Sequence, residues 1–318
     1  MSDQVKDAYD VVVIGGGAAG LNGALQLARS RRSVLVVDAG QPRNRPAAGV
    51  HGLLGHDGIP PAQLLARGRE EVRGYGGAVA AGEVSAAGGS LDSGFTVALA
   101  DGRAVRARRL LVTTGLVDEL PDIPGLRERW GRDVIHCPYC HGWEVRDQLI
   151  GVLASGPMSV HQALLFRQLS DDVVYFSRGI ALDDAAAARL AARGIRVVDG
   201  AVSAVLITDD HVAGVRLDDG TVIARQALVV GARMTARAGF LADLGLKASE
   251  HPSGMGTHLP ADPTGRTEVP GIWAAGNVTD LSAQVGASAA AGALAGAMIN
   301  ADLVEEETRL AVEAARAS

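Results

Sequence analysis

The 318-residue sequence is poor in aromatic residues, in cysteine and in basic charge. Aromatic side chains make up 3% of it, and 30 Lys and Arg residues face 36 Asp and Glu residues, which leaves a net charge of −6. A negative chain has no electrostatic field to attract a nucleic-acid backbone or an anionic membrane surface. We therefore expect neither nucleic acid nor membrane among its partners.

We also expect no signal peptide and no membrane-spanning segment. Asp3, Asp7 and Asp10 precede the first apolar segment, whereas a signal peptide begins with positive charge. Residues 285–299 are mostly Ala and Gly and fall short of the roughly 20 residues that cross a bilayer. The acidic residues 305–307 are most simply a solvated helix face. These features predict a soluble, cytoplasmic protein.

Glycine, in contrast, is abundant, at 41 of 318 residues. Residues 9–38 show the pattern of a β-α-β unit, in which an apolar run, a glycine turn and a helical stretch lead to a second apolar run. Gly15 permits the tight turn, Gly17 lets the backbone approach a pyrophosphate, Gly20 lets helix and strand pack closely, and Asp38 accepts from a ribose hydroxyl. A bare glycine motif also occurs in ordinary turns, but this context predicts a dinucleotide site.

The same unit recurs without a gap later in the chain, over residues 149–176, with Gly156 in the place of Gly17. Its contact positions are altered, and the four replacements are Ala154 for Gly15, Pro157 for Ala18, Ser159 for Gly20 and Ser177 for Asp38. Proline has no N–H for a phosphate, although it is comfortable in a first helical turn. The repeat predicts a domain that kept its fold and lost its nucleotide site, with a working nicotinamide site as the alternative.

Strand-like runs at residues 109–115 and 271–280 end at glycine turns, and the second leads into a helix of small residues. The first domain is therefore predicted to be split around the second. The fold class is α/β, with two Rossmann-like, doubly wound, three-layer domains. The predicted domains are residues 1–117 with 237–318, and the inserted residues 118–236.

The only cysteines, Cys137 and Cys140, form a C-x-x-C motif between the two units. Two cysteines at a turn entering a helix can form a disulfide, and the helix N-terminus lowers the pKa of the first thiol. The alternatives are a zinc half-site with His136 and His141, a glutaredoxin-like motif in a thioredoxin fold, and a structural pair. Zinc would lack a second paired motif, a thioredoxin fold would not follow a dinucleotide unit, and structural disulfides are uncommon in the cytosol. We favour a redox-active pair and expect no metal.

Several motifs together resemble the low-molecular-weight thioredoxin reductases over nearly the whole chain. They are GGGAAG at 15–20, TTG at 113–115, C-x-x-C at 137–140 and GIWAAGNVTD at 271–280. The resemblance implies an FAD domain in two pieces, an inserted nicotinamide-type domain and a homodimer. HCPYCHGWE, with PRN at 42–44, is similar to the branch of dithiol oxidases that close the disulfide of gliotoxin- and holomycin-type natural products.

The resemblance also implies roles for single residues. Cys140 would lie next to the flavin and Cys137 would face the substrate. His141 stands where these reductases usually carry Asp, and an imidazole exchanges protons well near neutral pH, so His141 is the leading general base, ahead of His136 and His51. The implied FAD contacts are Gly15, Gly17, Gly20, Asp38, Asn44, His51, Val84, Gly115, Gly276, Asn277, Gln284 and Val285. Asn277 also replaces an Asp that is usual in the reductases.

The predicted function is that of an FAD-dependent dithiol oxidase in antibiotic biosynthesis. It would close a disulfide within a small-molecule dithiol, pass the electrons through Cys137 and Cys140 to FAD, and reduce dioxygen to hydrogen peroxide. One alternative is an NADPH- or ferredoxin-dependent reductase of a thioredoxin-like protein. Another is a flavin-binding redox sensor without turnover. The Gly-, Pro- and His-rich residues 41–61 either line a small-molecule pocket or wrap a cofactor.

Overall fold

The structure is a computed structural model that describes residues 5–317, so Asp3 lies outside it. The chain divides into two compact units. Unit 1 consists of Met1–Arg45, Pro61–Val117 and Met234–Ser318, and unit 2 of Pro46–Pro60 and Asp118–Arg233. The first boundary lies after residue 117, where the sequence predicts it, and the second lies slightly earlier than predicted. Pro46–Pro60 was expected in the first domain but groups with unit 2.

The structure contains nineteen strands and six α-helices within the described residues. The strands are β1 (Ala8–Ile14), β2 (Val34–Asp38), β3 (Ala78–Ala81), β4 (Val84–Ser90), β5 (Gly94–Leu99), β6 (Ala104–Val112), β7 (Leu116–Glu119), β8 (Val134–Ile135), β9 (Ile150–Leu153), β10 (Val173–Phe176), β11 (Arg196–Val198), β12 (Val202–Thr208), β13 (His211–Leu217), β14 (Val222–Ala224), β15 (Ala227–Val230), β16 (Arg233–Ala236), β17 (Ser249–Glu250), β18 (Thr257–His258) and β19 (Ile272–Ala274). The helices are α1 (Ala18–Arg29), α2 (Pro61–Gly74), α3 (Pro138–His141), α4 (Met158–Phe166), α5 (Asp184–Ala192) and α6 (Val285–Ala317). The 3-10 turns are Arg127–Arg129, Gly239–Leu244 and Gly276–Val278.

Unit 1 is built on a seven-stranded sheet in the order β3-β2-β1-β6-β5-β4, with β19 also paired to β6. Strands β3, β2, β1, β6 and β19 are parallel, whereas β4 and β5 add an antiparallel edge. Buried side chains of α1 and α6 pack on one face. The other face is covered by a segment that includes the Gly239–Leu244 turn. The central strands have apolar side chains on both faces because both faces are covered.

Unit 2 is built on an all-parallel five-stranded sheet in the order β11-β10-β9-β15-β8. Residues of α4 and α5 pack on one face. The antiparallel sheet β12-β13-β14 packs on the other face, which makes three layers. The α/β fold class is confirmed, although the sequence did not predict a strand layer on this face.

The two β-α-β units agree in register as well as in order. Val11 pairs with Val34 in the first unit, and Ile150 pairs with Val173 in the second. The two paired residues are the same number of residues apart in both units. The first turn also repeats, since the N–H of Gly15 donates to Val37 O at 2.9 Å and the N–H of Ala154 donates to Phe176 O at 2.9 Å. The repeat inferred from the sequence is a structural repeat.

Helix α6 is longer than the apolar stretch that the sequence indicates. Its length and composition would suffice to cross a membrane, and one third of its apolar window is buried in the protein. Gly292 faces α1, where a Cβ would overlap the carbonyl oxygen of Ala19. This close packing against α1 accounts for the small and apolar residues of α6.

The acidic residues 305–307 form a solvated face only in part, because Glu305 is exposed as predicted whereas its two neighbours form ion pairs. Glu306 accepts from Arg108 at 2.7 Å and from Arg109 at 3.1 Å, and Glu307 accepts from Arg32 at 2.6 Å. These ion pairs attach the C-terminal half of α6 to the sheet of unit 1. The ion pairs could not be predicted because the cations lie far from α6 in the sequence.

Candidate active site

The first glycine turn has the shape that a dinucleotide requires. Gly15 has φ +114°, and a Cβ there would overlap the carbonyl oxygen of Thr113. A Cβ on Gly20 would overlap the carbonyl oxygen of Gly15, so glycine is needed where α1 crosses the strand end. Gly17 is different, because a Cβ there would meet nothing within 4 Å. The turn is thus closed on its protein side and open at Gly17.

The N-terminus of α1 lies directly behind this opening. Gly17 is the N-cap residue, and no side chain caps the first N–H groups of the helix. Such groups attract an anion, because the backbone donors and the helix dipole act in the same direction. The open turn and uncapped helix fit the pyrophosphate of a dinucleotide.

Asp38 is held at the end of β2, beside the same turn. Its carboxylate accepts from Gly40 N at 2.8 Å and from Arg69 Nη1 at 3.3 Å. A Cβ on Gly16 would overlap this carboxylate. Arg69 and Gly16 were missed by the sequence analysis, because Arg69 comes from α2, a separate element, and Gly16 is a variable position of the glycine motif.

The other predicted cofactor residues of unit 1 lie on turns and element ends. Gly115 (φ +68°) follows β6, and Gly276 (φ +80°) begins a 3-10 turn. Both amide hydrogens of Asn277 are directed to backbone carbonyls, those of Asp280 and Ala283, each at 2.9 Å. Its side-chain oxygen is therefore the atom left for a ligand. The remaining four are Asn44 in a turn, Val84 at the start of β4, Gln284 just before α6 and Val285 at its first position.

In the second glycine turn, side chains of the protein already bind the backbone groups. Ser159 Oγ accepts from Ser155 N at 2.9 Å and from Gly156 N at 3.3 Å, which are the donors a pyrophosphate would need. Arg178 crosses to Ala154 O, with its Nη1 at 2.8 Å, and burial lowers the pKa of this guanidinium. Pro157 caps α4 without an N–H to offer. The two copies therefore share a fold and differ in whether the N–H groups of the turn are left for a ligand.

Cys137 and Cys140 form a disulfide within unit 2. Cys137 is the N-cap of α3, whose four residues make a single turn, so the helix dipole proposed from the sequence is restricted to one turn. Gly142, directly after α3, is closely packed against its neighbours. A Cβ there would overlap Leu169 and the carbonyl oxygen of Pro138. The disulfide is therefore held on a short turn that packs against the rest of unit 2.

His141, the last residue of α3, has both ring nitrogens buried and without a hydrogen-bond partner among the described residues. Burial lowers the pKa of this imidazole, while the negative charge of Glu144 acts in the opposite direction. A neutral, unpaired imidazole next to Cys140 in the chain is able to accept a proton.

The two weaker candidate bases occupy different environments. His136 stacks on Trp130, with ring centroids 5.6 Å apart, and its carbonyl oxygen accepts from Gln162. His51 belongs to the Pro46–Pro60 segment of unit 2, and its Nε2 lies 3.4 Å from Glu144 Oε1. The structure thus brings His51 toward the residues around His141, whereas His136 faces Trp130. Glu144 was missed by the sequence analysis, because its partner comes from a distant part of the chain.

No group of three or more His, Cys, Asp or Glu side chains in the described part of the chain is arranged to hold a metal. Next to the disulfide, Tyr139 and Trp143 are about two-thirds exposed. The guanidinium of Arg146 lies 4.1 Å from the centre of the Trp143 ring. Exposed aromatic rings and charged side chains therefore lie close to the disulfide in the chain.

Two nucleotide-type α/β units, one with an open glycine turn and one with a C-x-x-C disulfide, define a disulfide oxidoreductase. The chain belongs to the pyridine nucleotide-disulphide oxidoreductase family, whose model matches residues 9–304. Its relatives include a protein named thioredoxin reductase tcpT from Claviceps purpurea (strain 20.1), 32% identical over 95% of this chain and 96% of that protein. Thioredoxin reductase aclD from Aspergillus oryzae (strain ATCC 42149 / RIB 40) is 31% identical over 85% of this chain and 88% of that protein.

Solved structures agree with this assignment. The crystal structure of HlmI is similar with a TM-score of 0.92 and 47% identity, and covers 99% of both chains. A putative thioredoxin reductase TrxB from Bacillus anthracis has a TM-score of 0.87 and 28% identity, over 93% of this chain and 99% of that chain. The predicted resemblance to the thioredoxin-reductase-like enzymes is confirmed, and the protein is an oxidoreductase of this type.

Proposed function

We propose that the protein is an FAD-dependent dithiol oxidase, which closes a disulfide within a small-molecule dithiol. The observation that carries the proposal is the contrast between the two glycine turns. No side chain caps the first N–H groups of α1 behind Gly17, whereas Ser159 Oγ accepts from the N–H groups of Ser155 and Gly156 in the turn that would bind NADPH in a reductase. Electrons then have no pyridine-nucleotide source within the protein, and the disulfide must receive them from its substrate.

Bound FAD would supply the two-electron acceptor for the reduced cysteine pair, and dioxygen would take the electrons on to hydrogen peroxide. The residues that would hold it are Gly17 and the N-terminus of α1 at the pyrophosphate, and Asp38 at a ribose hydroxyl. Gly15 and Gly20 support this role by bringing helix and strand together.

The chemistry of the chain itself begins at the disulfide. A substrate thiol gives its proton to His141, and the thiolate attacks Cys137 Sγ. A bond forms between the substrate sulfur and Cys137, the Cys137–Cys140 bond breaks, and Cys140 leaves as a thiolate. The second substrate thiol gives its proton to solvent water and attacks the first substrate sulfur, so that the bond to Cys137 breaks and Cys137 leaves as a thiolate. The substrate is oxidised by two electrons and the cysteine pair is reduced by two.

His141 suits the proton step because burial lowers the pKa of its imidazole and so favours the neutral form, which can accept a proton. Both ring nitrogens lack a partner in the described chain, so no hydrogen bond to the protein has to break before one of them takes the thiol proton. A carboxylate at this position would be a weaker base near neutral pH. The proposed base therefore agrees with a substrate that arrives as a thiol.

The experiment measures hydrogen peroxide with a panel of small dithiols, with and without NADPH, on enzyme loaded with FAD. We expect peroxide with a dithiol alone, and no acceleration by NADPH. Cys137→Ser and Cys140→Ser should each abolish it while FAD remains bound. Rapid flavin reduction by NADPH but not by any dithiol would overturn the proposal in favour of a disulfide reductase.

A homodimer is also expected from the family resemblance. Size-exclusion chromatography with light scattering of the FAD-loaded protein tests this independently of the reaction, and a monomeric mass would contradict it.

A further inference from the structure

The chain leaves the sheet of unit 2 directly before the first cysteine of the disulfide. Strand β8 is a two-residue edge strand that ends at Ile135, so His136 lies beyond the backbone pairing of the sheet. The carbonyl oxygen of His136 accepts from Gln162 Nε2, a side-chain donor on α4, at 3.1 Å. This oxygen belongs to the peptide group that His136 shares with Cys137. The hydrogen bond therefore connects α4 to the backbone of the reacting pair.

The amide of Gln162 is held by its donor alone. Its Oε1 is buried and has no hydrogen-bond partner among the described residues. A flipped amide would place this oxygen against the carbonyl oxygen of His136, and two acceptors cannot form a hydrogen bond. An unpaired buried acceptor is costly. The contact with His136 is thus the polar contact that fixes the Gln162 side chain.

The two copies of the β-α-β unit use this helix position differently. Gln162 comes six residues after Gly156, as Gly23 comes six residues after Gly17. In the first copy a Cβ on Gly23 would overlap atoms of neighbouring elements, so the helix packs directly on them. In the second copy the same position carries a long side chain that reaches the segment before Cys137. The position serves close packing in unit 1 and a polar contact in unit 2.

Helix α4 and the turn after it also hold the other side of the cysteine segment. A Cβ on Gly142 would overlap Leu169, and Asp147 N donates to Leu169 O at 3.0 Å. Ser159 Oγ accepts from two N–H groups of the glycine turn and so fixes the start of the same helix. The helix that follows the second glycine turn is therefore joined to the chain on both sides of the disulfide.

We infer that Gln162 is a positioning residue for the redox disulfide, because its amide fixes the peptide group in front of Cys137. The inference rests on the proposed function, since it gives a role to a neighbour of the reacting cysteine pair. While the Cys137–Cys140 bond is closed, that bond holds the two sulfurs together. Once the pair is reduced, only contacts of the surrounding chain keep the thiols near each other. Loss of the Gln162 donor should therefore free the reduced pair more than the oxidised pair, which favours the dithiol.

The test is the equilibrium of the FAD-loaded enzyme with glutathione in the absence of dioxygen. Two glutathione thiols become one glutathione disulfide as the Cys137–Cys140 bond becomes two thiols. Alkylation counts the free thiols, and the flavin absorbance counts any electrons that the flavin holds. We expect Gln162→Met, which keeps the length and removes the donor, to shift the equilibrium toward the dithiol by about 2- to 10-fold, as for one hydrogen bond. Gln168→Met, the same change at an exposed residue just after α4, is the matched control and should shift nothing.

The variant Gln162→Glu gives a readout that a merely structural role would not give. A carboxylate cannot donate to the carbonyl oxygen of His136, whereas the protonated acid can. Relative to the unmodified enzyme at each pH, the shift in Gln162→Glu should be present at alkaline pH. It should shrink as the pH falls through the pKa of the new carboxyl group. The shift in Gln162→Met should not change with pH.

Two outcomes would overturn the inference. They are equal equilibria in Gln162→Met and Gln168→Met, and a shift in Gln162→Glu that does not depend on pH. The glutathione equilibrium needs no substrate, so it decides the role of Gln162 separately from the reaction. Absence of turnover with every dithiol would overturn the proposed function and leave this measurement intact.

Discussion

Two single substitutions, one in each copy of the glycine turn, can distinguish an effect on folding from an effect on cofactor binding. Gly17 and Gly156 occupy equivalent positions in the two copies, and a Cβ on either would meet no protein atom within 4 Å. Gly17→Ala and Gly156→Ala should therefore both fold, at a cost of about 1 kcal/mol or less for alanine at such a helix start. If Gly17 faces the pyrophosphate, its new methyl group must displace that ligand.

The expected loss can be estimated from the bonds that the displacement would break. Losing one hydrogen bond to a charged group costs about 1.5–3 kcal/mol, which corresponds to FAD affinity about 10- to 150-fold weaker. The assay is titration of the apoprotein with FAD, followed by flavin fluorescence, together with thermal unfolding of each apoprotein. Gly156→Ala should leave FAD affinity unchanged. Equal FAD affinity in Gly17→Ala and the unmodified protein would refute the assignment of the open turn.

Three further results are expected. Isothermal titration of the FAD-loaded protein with NADPH should give no binding, whereas micromolar binding would show that Ser159 gives way to the ligand. Gly20→Ala should greatly lower soluble yield, because its Cβ would overlap the Gly15 carbonyl oxygen; a normal yield would contradict that close packing. Arg109→Met should lower the free energy of unfolding in urea by about 1–3 kcal/mol, because the nearly buried guanidinium compensates Asp302 and Glu306. An unchanged midpoint would show that this network contributes no stability.

Much of the fold could be predicted because the information is local. The glycine turn at Gly15 to Gly20, the apolar strands and the second copy of the β-α-β unit are all visible in short windows of sequence. The replacement of Gly20 by Ser159 in that second copy could also be seen there. The role of Ser159 could not be predicted, because its hydroxyl accepts from the N–H groups of Ser155 and Gly156 only in the folded turn.

The features that escaped prediction depend on long-range contacts. Residues 46–60 carry no strand or helix signal that would assign them to either domain, and only their packing groups them with unit 2. The pairing of His51 with Glu144 follows from that packing, whereas the attachment of α6 follows from Arg108 and Arg109 on β6. The C-x-x-C motif predicts Cys137 and Cys140 as the reacting pair, but it carries no information about the charges that surround His141.

The order of elements along the chain has a consequence for synthesis on the ribosome. All of unit 2 has been synthesised once Arg233 is added, whereas β19 of the unit 1 sheet and helix α6, which packs on α1, are still to be made. The inserted unit is therefore able to fold first, and the flavin-type unit waits for the last part of the polypeptide. Until then the glycine-lined back of α1 is exposed, and a stalled or prematurely terminated chain would present an apolar surface prone to aggregation.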